Sequence, residues 1–135
     1  MVTVVDNSIV LPLFITDEDS SAMEELVEQA SAGTPLLVPQ LWLNEFGNGL
    51  LVCSRRGRIS EERALVAHQK ANQLPLEIVQ FPSMDDLSHV HLLAEKHGLS
   101  FYDASYLALA INRGAKLATN DKKLALAAKQ EEALY

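Results

Sequence analysis

The sequence has one cysteine, six glycines, five prolines and one tryptophan in 135 residues. Each scarcity closes off a class of protein. A lone thiol cannot form an internal disulfide, so a bridged secreted scaffold is excluded, and unpaired Cys53 suits a reducing compartment. Glycine and proline this sparse exclude collagen-like and low-complexity chains. No apolar run nears the ~20 residues that cross a bilayer, and Tyr106–Ile111 is typical of those present. No basic region precedes the opening Met1-Val2-Thr3-Val4-Val5, which runs straight into Asp6. Neither a secretory leader nor a membrane anchor is therefore expected, and a cytoplasmic location is. Positive charge is also short, with 11 Lys+Arg against 18 Asp+Glu and a net charge of −7. Coating nucleic acid through bulk positive charge is disfavoured, whereas an acidic pocket that works through bound cations stays open. What is present is 48% hydrophobic residues, enough for one domain over residues 1–135 with its own core.

Short apolar runs alternate with helix-period segments, the pattern of βα units around a parallel sheet buried under helices on both faces. Strands are expected at Val2–Val5, Thr34–Val38, Leu76–Phe81 and Ala115–Thr119. Ser21 and Glu24 have the spacing of a capping box, as do Ser83 and Asp86, and Ser60 suits an N-cap. In the helix that Gly98 ends, Leu87, Val90, His91 and Ala94 are expected to face inward. A helix over Tyr102–Asn112 and a final one opened by Asp121 complete the chain.

Ligands of open α/β sheets sit beyond the carboxyl ends of the strands. Four acids map there: Asp6 after the first strand, Glu45 two turns into the helix after Pro39, Asp103 at the start of a helix, and Asp121 after the last strand. Three of the four have no adjacent lysine or arginine, and Asp6, Glu45 and Asp103 have apolar neighbours. Buried unpaired carboxylates are costly, and a hard divalent ion such as Mg²⁺ or Mn²⁺ would satisfy them. Taken singly, Asp6, Asp103 and Asp121 could equally be helix caps, and Glu45 an ordinary surface glutamate.

Four segments in order resemble the PIN domain, and more closely the VapC-type ribonuclease toxins: Val4-Val5-Asp6-Asn7-Ser8, Val38-Pro39-Gln40-Leu41-Trp42-Leu43-Asn44-Glu45, Leu99-Ser100-Phe101-Tyr102-Asp103-Ala104-Ser105-Tyr106-Leu107-Ala108 and Leu117-Ala118-Thr119-Asn120-Asp121. They span nearly the whole chain. One departure is Asn7, where many relatives carry threonine. The resemblance implies an α/β/α sandwich with a central parallel sheet of four to five strands. It also implies a Mg²⁺- or Mn²⁺-dependent hydrolysis of RNA in which Asp6, Glu45, Asp103 and Asp121 form the catalytic, metal-binding quartet. Asp6 and Asp103 would be primary ligands, with Ser8, Thr119 and Asn120 orienting ligands through hydrogen bonds. A VapB-type antitoxin that covers the acidic groove and a homodimer are implied as well. Without metal, the clustered carboxylates are expected to repel one another and raise some pKa values.

Arg55, Arg56 and Arg58 form the only dense basic run, and with Lys122 they are the candidates for RNA contact; a solvated turn is the plainer reading. His89 and His91 are two apart and cannot share a helix face as ligands. Trp42 with Phe46 is expected to be packing, and Cys53 has no histidine partner. Two other functions compete. A phosphoryl-accepting receiver or phosphatase-like domain also places an aspartate after strand one, but a dehalogenase-type site wants aspartate where Ser8 stands, and a receiver wants an acid pair and a late lysine. A catalytically silent binding module with the same fold is the third reading.

Overall fold

A computed structural model describes residues 2–135. Four parallel strands form one sheet, β1 (Thr3–Val5), β2 (Leu36–Pro39), β3 (Leu76–Val79) and β4 (Lys116–Ala118), in the order β3-β2-β1-β4. Successive strand residues point to opposite faces. In β1 every residue is buried, and so is every residue of β2, so both faces of the sheet centre are covered. Register is continuous, with Val4 opposite both Leu37 of β2 and Leu117 of β4. The strands are shorter than the apolar runs suggest: Val2, Thr34, Pro35, Gln80, Phe81, Ala115 and Thr119 lie outside them, while Pro39 joins β2. The C-terminal end lies along β4, bonded through Leu117 N–H to Ala133 O (2.6 Å) and Tyr135 N–H to Leu117 O (3.0 Å). That contact covers one sheet edge, while β3 forms the other.

The helices are α1 (Asn7–Val10, continuing as a 3-10 turn to Phe14), α2 (Ser21–Ala30), α3 (Leu41–Arg55), α4 (Glu61–Ala71), α5 (Leu87–His97, preceded by a 3-10 turn), α6 (Phe101–Asn112) and α7 (Lys122–Gln130). Their starts show how local rules act. Ser60 caps α4 by accepting from Arg63 N–H (3.1 Å), and Ser100 caps α6 by accepting from Asp103 N–H (3.0 Å). Ser83 and Asp86 form the expected capping box. The box expected from Ser21 and Glu24 does not form: Ser20 is the N-cap of α2, and Ser21 N–H donates to Asp19 (3.0 Å). Gly98 ends α5 with φ of 62°, a left-handed conformation that side chains disfavour.

In α5 the inward face is Val90 and Leu93; Leu87 and His91 are exposed, against expectation. The apolar stripe there is rotated, because the helix packs on α6 and not on the sheet. The core is continuous, with Val4, Val10, Met23, Val38, Leu50, Val90, Leu107 and Leu124 all fully enclosed. Helix α6 runs through it almost entirely buried from Ala104 to Ala110 and packs against β1, β2 and β4. Glycine matters at one close approach: a Cβ on Gly49 would stand 2.9 Å from Leu11 Cδ2 and 3.3 Å from the Asn7 amide nitrogen. It lets α3 lie against α1, and the Asn7 amide donates to the backbone carbonyl of Glu45 (3.3 Å).

Candidate functional site

The chain leaves β1 for β2 on one side, and β4 returns to the other side of β1. In sheets with such a topological switch, the ligand crevice lies at the carboxyl ends of the strands, here those of β1 and β4. Asp6 follows β1, and Thr119-Asn120-Asp121 follows β4, so both segments enter it. The backbone joins them through Asp6 N–H to Ala118 O (3.3 Å).

Asp6 precedes α1 but does not cap it with its side chain. Its carboxylate instead accepts from Ser8 Oγ at Oδ1 (2.6 Å) and from Thr119 Oγ1 at Oδ2 (2.8 Å). The two hydroxyls stand 3.2 Å apart, and Asn120 closes the knot by donating its N–H to Ser8 Oγ (2.9 Å) and its amide to Ser8 O (3.1 Å). Thr119 Oγ1 in turn accepts from Asp121 N–H (3.0 Å). The structure thus joins Ser8, Thr119 and Asn120 around Asp6. Asp121 does act as the N-cap of α7, accepting from Leu124 N–H at Oδ1 (2.9 Å), with the rest of its carboxylate exposed. Asp103 is not a cap, since Ser100 fills that role.

Glu45, on α3, is half-buried and accepts from the Tyr106 hydroxyl (2.5 Å), a group to which the sequence analysis assigns no role. The available signal was spacing: Tyr106 lies three residues after Asp103 and shares its helix face. Burial raises the Asp6 carboxyl to about 6 against the lowering effect of its two hydroxyl donors, with Asp103 and Glu45 adding repulsion. Glu45 is raised by burial and by Asp103, and Asp103 by burial and by Asp121, with Lys123 acting oppositely on Asp103. Raised carboxyls were expected, but enclosure outweighs mutual repulsion as the cause. The Tyr106 hydroxyl is pushed far above its ordinary range, chiefly by burial and then by the carboxylates of Glu45, Asp6 and Asp103, so it stays a donor.

The four acids therefore share one electrostatic neighbourhood. Among the described residues no ion pair engages any of them. Their hard oxygens and unbalanced charge suit a divalent cation in donor chemistry. The side chains have not converged, however: among the described residues no three His, Cys, Asp or Glu groups stand ready-made for an ion. The two observations agree, because charge acts across several ångströms whereas ligand oxygens must close to about 2–2.5 Å.

The candidate basic residues divide into one engaged arginine and three exposed side chains. Arg58 is committed to Asp17 (3.1 Å) and Glu18 (2.9 Å), bracing the loop before α2. Arg55 and Arg56 are exposed at the far end of α3, with Glu45 ten residues or about 15 Å of helix away. Lys122 is exposed beside Asp121, at the first position of α7. Trp42 stacks on Phe46 (ring centroids 4.9 Å) within the core, as packing predicts. His97 pairs with Glu131 (2.7 Å), joining α5 to the end of α7.

A parallel βαβ sheet with four acids in one electrostatic neighbourhood near its switch point defines the class: an α/β domain with an acidic site at the carboxyl ends of its strands. The family model of the PIN domain matches residues 3–130, and the chain belongs to that family. It is 34% identical over 125 residues to Ribonuclease VapC3 of Pyrobaculum aerophilum, covering 93% of each chain. The crystal structure of PAE2754 from the same organism superposes with a TM-score of 0.73 at 26% identity, covering 98% of this chain and 87% of that one. The structure of VapBC2 from Rickettsia felis bound to a DNA fragment from their promoter gives 0.65 at 19% identity, over 90% and 88% of the two chains, and speaks for the fold alone. The family match sets aside the receiver and phosphatase-like readings.

Proposed function

We propose that this chain is a metal-dependent ribonuclease, the toxin of a toxin–antitoxin pair, with Asp6, Glu45, Asp103 and Asp121 holding Mg²⁺ or Mn²⁺. The observation that carries it is Asp6: a carboxylate 6% exposed at the end of the central strand, facing two further acids, with only hydroxyl donors for company. A buried anion so placed gains a great deal from a cation drawn from solution. The 34% identity to Ribonuclease VapC3 over 93% of each chain supports RNA as the substrate class.

When bound, the ion supplies an activated water at neutral pH and neutralises the phosphodiester's non-bridging oxygens. The chain's own residues do the rest. Ser8 and Thr119 fix both oxygens of Asp6, so its orientation is set before an ion arrives. Asp121 is fixed through its cap bond to α7. Lys122, with Arg55 and Arg56 further off, would meet substrate phosphates; Arg58 is already engaged by acids. A VapB-type antitoxin over the acidic crevice, a homodimer and a cytoplasmic place of work belong to the same reading and rest on the likeness to Ribonuclease VapC3.

Purified protein incubated with RNA tests the proposal. Cleavage is expected with Mg²⁺ and none with EDTA or in Asp6→Asn. RNA left intact by the metal-loaded wild type would turn the reading toward a catalytically silent binding module. Cutting that survives EDTA or the substitution would refute the site.

A further inference from the structure

Tyr106 is 1% exposed, among the largest fully buried side chains of the protein. A buried phenol requires a hydrogen-bond partner, and backbone carbonyls commonly serve. Here the partner is a carboxylate 61 residues away on another helix. The bond joins α6, which carries Asp103, to α3, which carries Glu45. It engages Oε1, and Oε2 has no hydrogen-bond partner among the described residues. A free glutamate samples several rotamers, whereas one bonded to a ring enclosed by the core is confined before any ion arrives.

We propose that Tyr106 is a positioning residue of the metal centre: its hydroxyl occupies one oxygen of Glu45 and presents the other, alone, as a single-oxygen ligand. The inference rests on the metal-dependent reading above. It accounts for a polar group being carried into the most enclosed stretch of α6, where phenylalanine would pack as well. It also gives the crevice a fixed neutral donor amid anions, which a lysine could not supply without cancelling the charge that attracts the ion.

The test is direct Mn²⁺ binding to RNA-free protein, read from the paramagnetic signal of the unbound ion. Tyr106→Phe keeps the ring and removes the hydroxyl, and Mn²⁺ affinity is expected to fall about 10- to 100-fold, the usual effect of losing a partner that orients a metal ligand. In a Glu45→Gln background the same change should cost nothing further, because Tyr106 acts through Glu45. Glu45→Asp, which keeps the charge but withdraws it from the hydroxyl by one methylene, should weaken Mn²⁺ by a similar factor and serves if Tyr106→Phe does not fold. Wild-type affinity in Tyr106→Phe, or in Glu45→Asp where that variant stands in, overturns the proposal. So does an equal loss with and without Glu45, or a wild type that binds no Mn²⁺. RNA cleavage on the same samples separates the two ideas: a wild type that binds Mn²⁺ and leaves RNA intact defeats the ribonuclease reading while the binding data still decide the role of Tyr106.

Discussion

Asp6→Asn should abolish cleavage and, in the absence of metal, make the protein more stable. Burial raises this carboxyl from 3.8 to about 6. A carboxyl raised on folding holds its proton more tightly in the native state, so its contribution is favourable below its ordinary pKa and is lost as pH climbs through about 6. The gap is roughly two units, which at about 1.36 kcal/mol each amounts to about 3 kcal/mol of native-state penalty at pH 7.5. Asparagine carries no charge, and rotatable hydroxyls at Ser8 and Thr119 can both donate to it and accept from it. Imperfect re-pairing leaves an expected gain of about 1–3 kcal/mol, several degrees in melting temperature. Thermal unfolding in EDTA across pH checks this. The difference between variant and wild type should vanish below about pH 4, reach about half its size near pH 5 and level off above about pH 7. Adding Mg²⁺ should reverse the order by stabilising the wild type alone. An Asp6→Asn protein less stable than wild type at pH 7.5 in EDTA would refute the claim that Asp6 is held against its own burial.

Thr119→Val keeps the shape and removes a donor from Asp6, so metal-free stability at pH 7.5 should fall by about 1–3 kcal/mol, the worth of a hydrogen bond to a charged group. Urea unfolding should show the loss shrinking below about pH 4, where Asp6 is protonated in both states. Ser60→Ala removes the cap of α4 and should lower stability by about 1 kcal/mol while RNA cleavage stays at the wild-type rate. Leu50→Ala, at a fully enclosed position, should destabilise by about 2–5 kcal/mol, read from the denaturation midpoint.

Much of this was legible one element at a time. Val-rich runs, the serines at 60 and 83, and Gly98 follow rules that act over four or five residues, and the elements formed where those rules place them. The acids at strand ends were legible too, because a parallel sheet has only one end at which its ligands gather. Errors came where two local options were nearly equal. Asp19 took the Ser21 N–H that Glu24 would have engaged, and the stripe of α5 turned to suit α6.

The succession of four strands and of helices α2 to α7, and the chain positions of four acids, were thus determined by the sequence alone, through side-chain periodicity and capping, whereas α1 was not foreseen. Which acid merely caps a helix and which is enclosed among its own kind was decided only in three dimensions. Ser8 and Thr119 meet across 111 residues, and Tyr106 reaches Glu45 across 61. The environment of a carboxylate is set by what surrounds it in space, and chain neighbours supply little of that. Arg58 shows the same rule, as its basic neighbours in the chain say nothing of Asp17 and Glu18, which hold it.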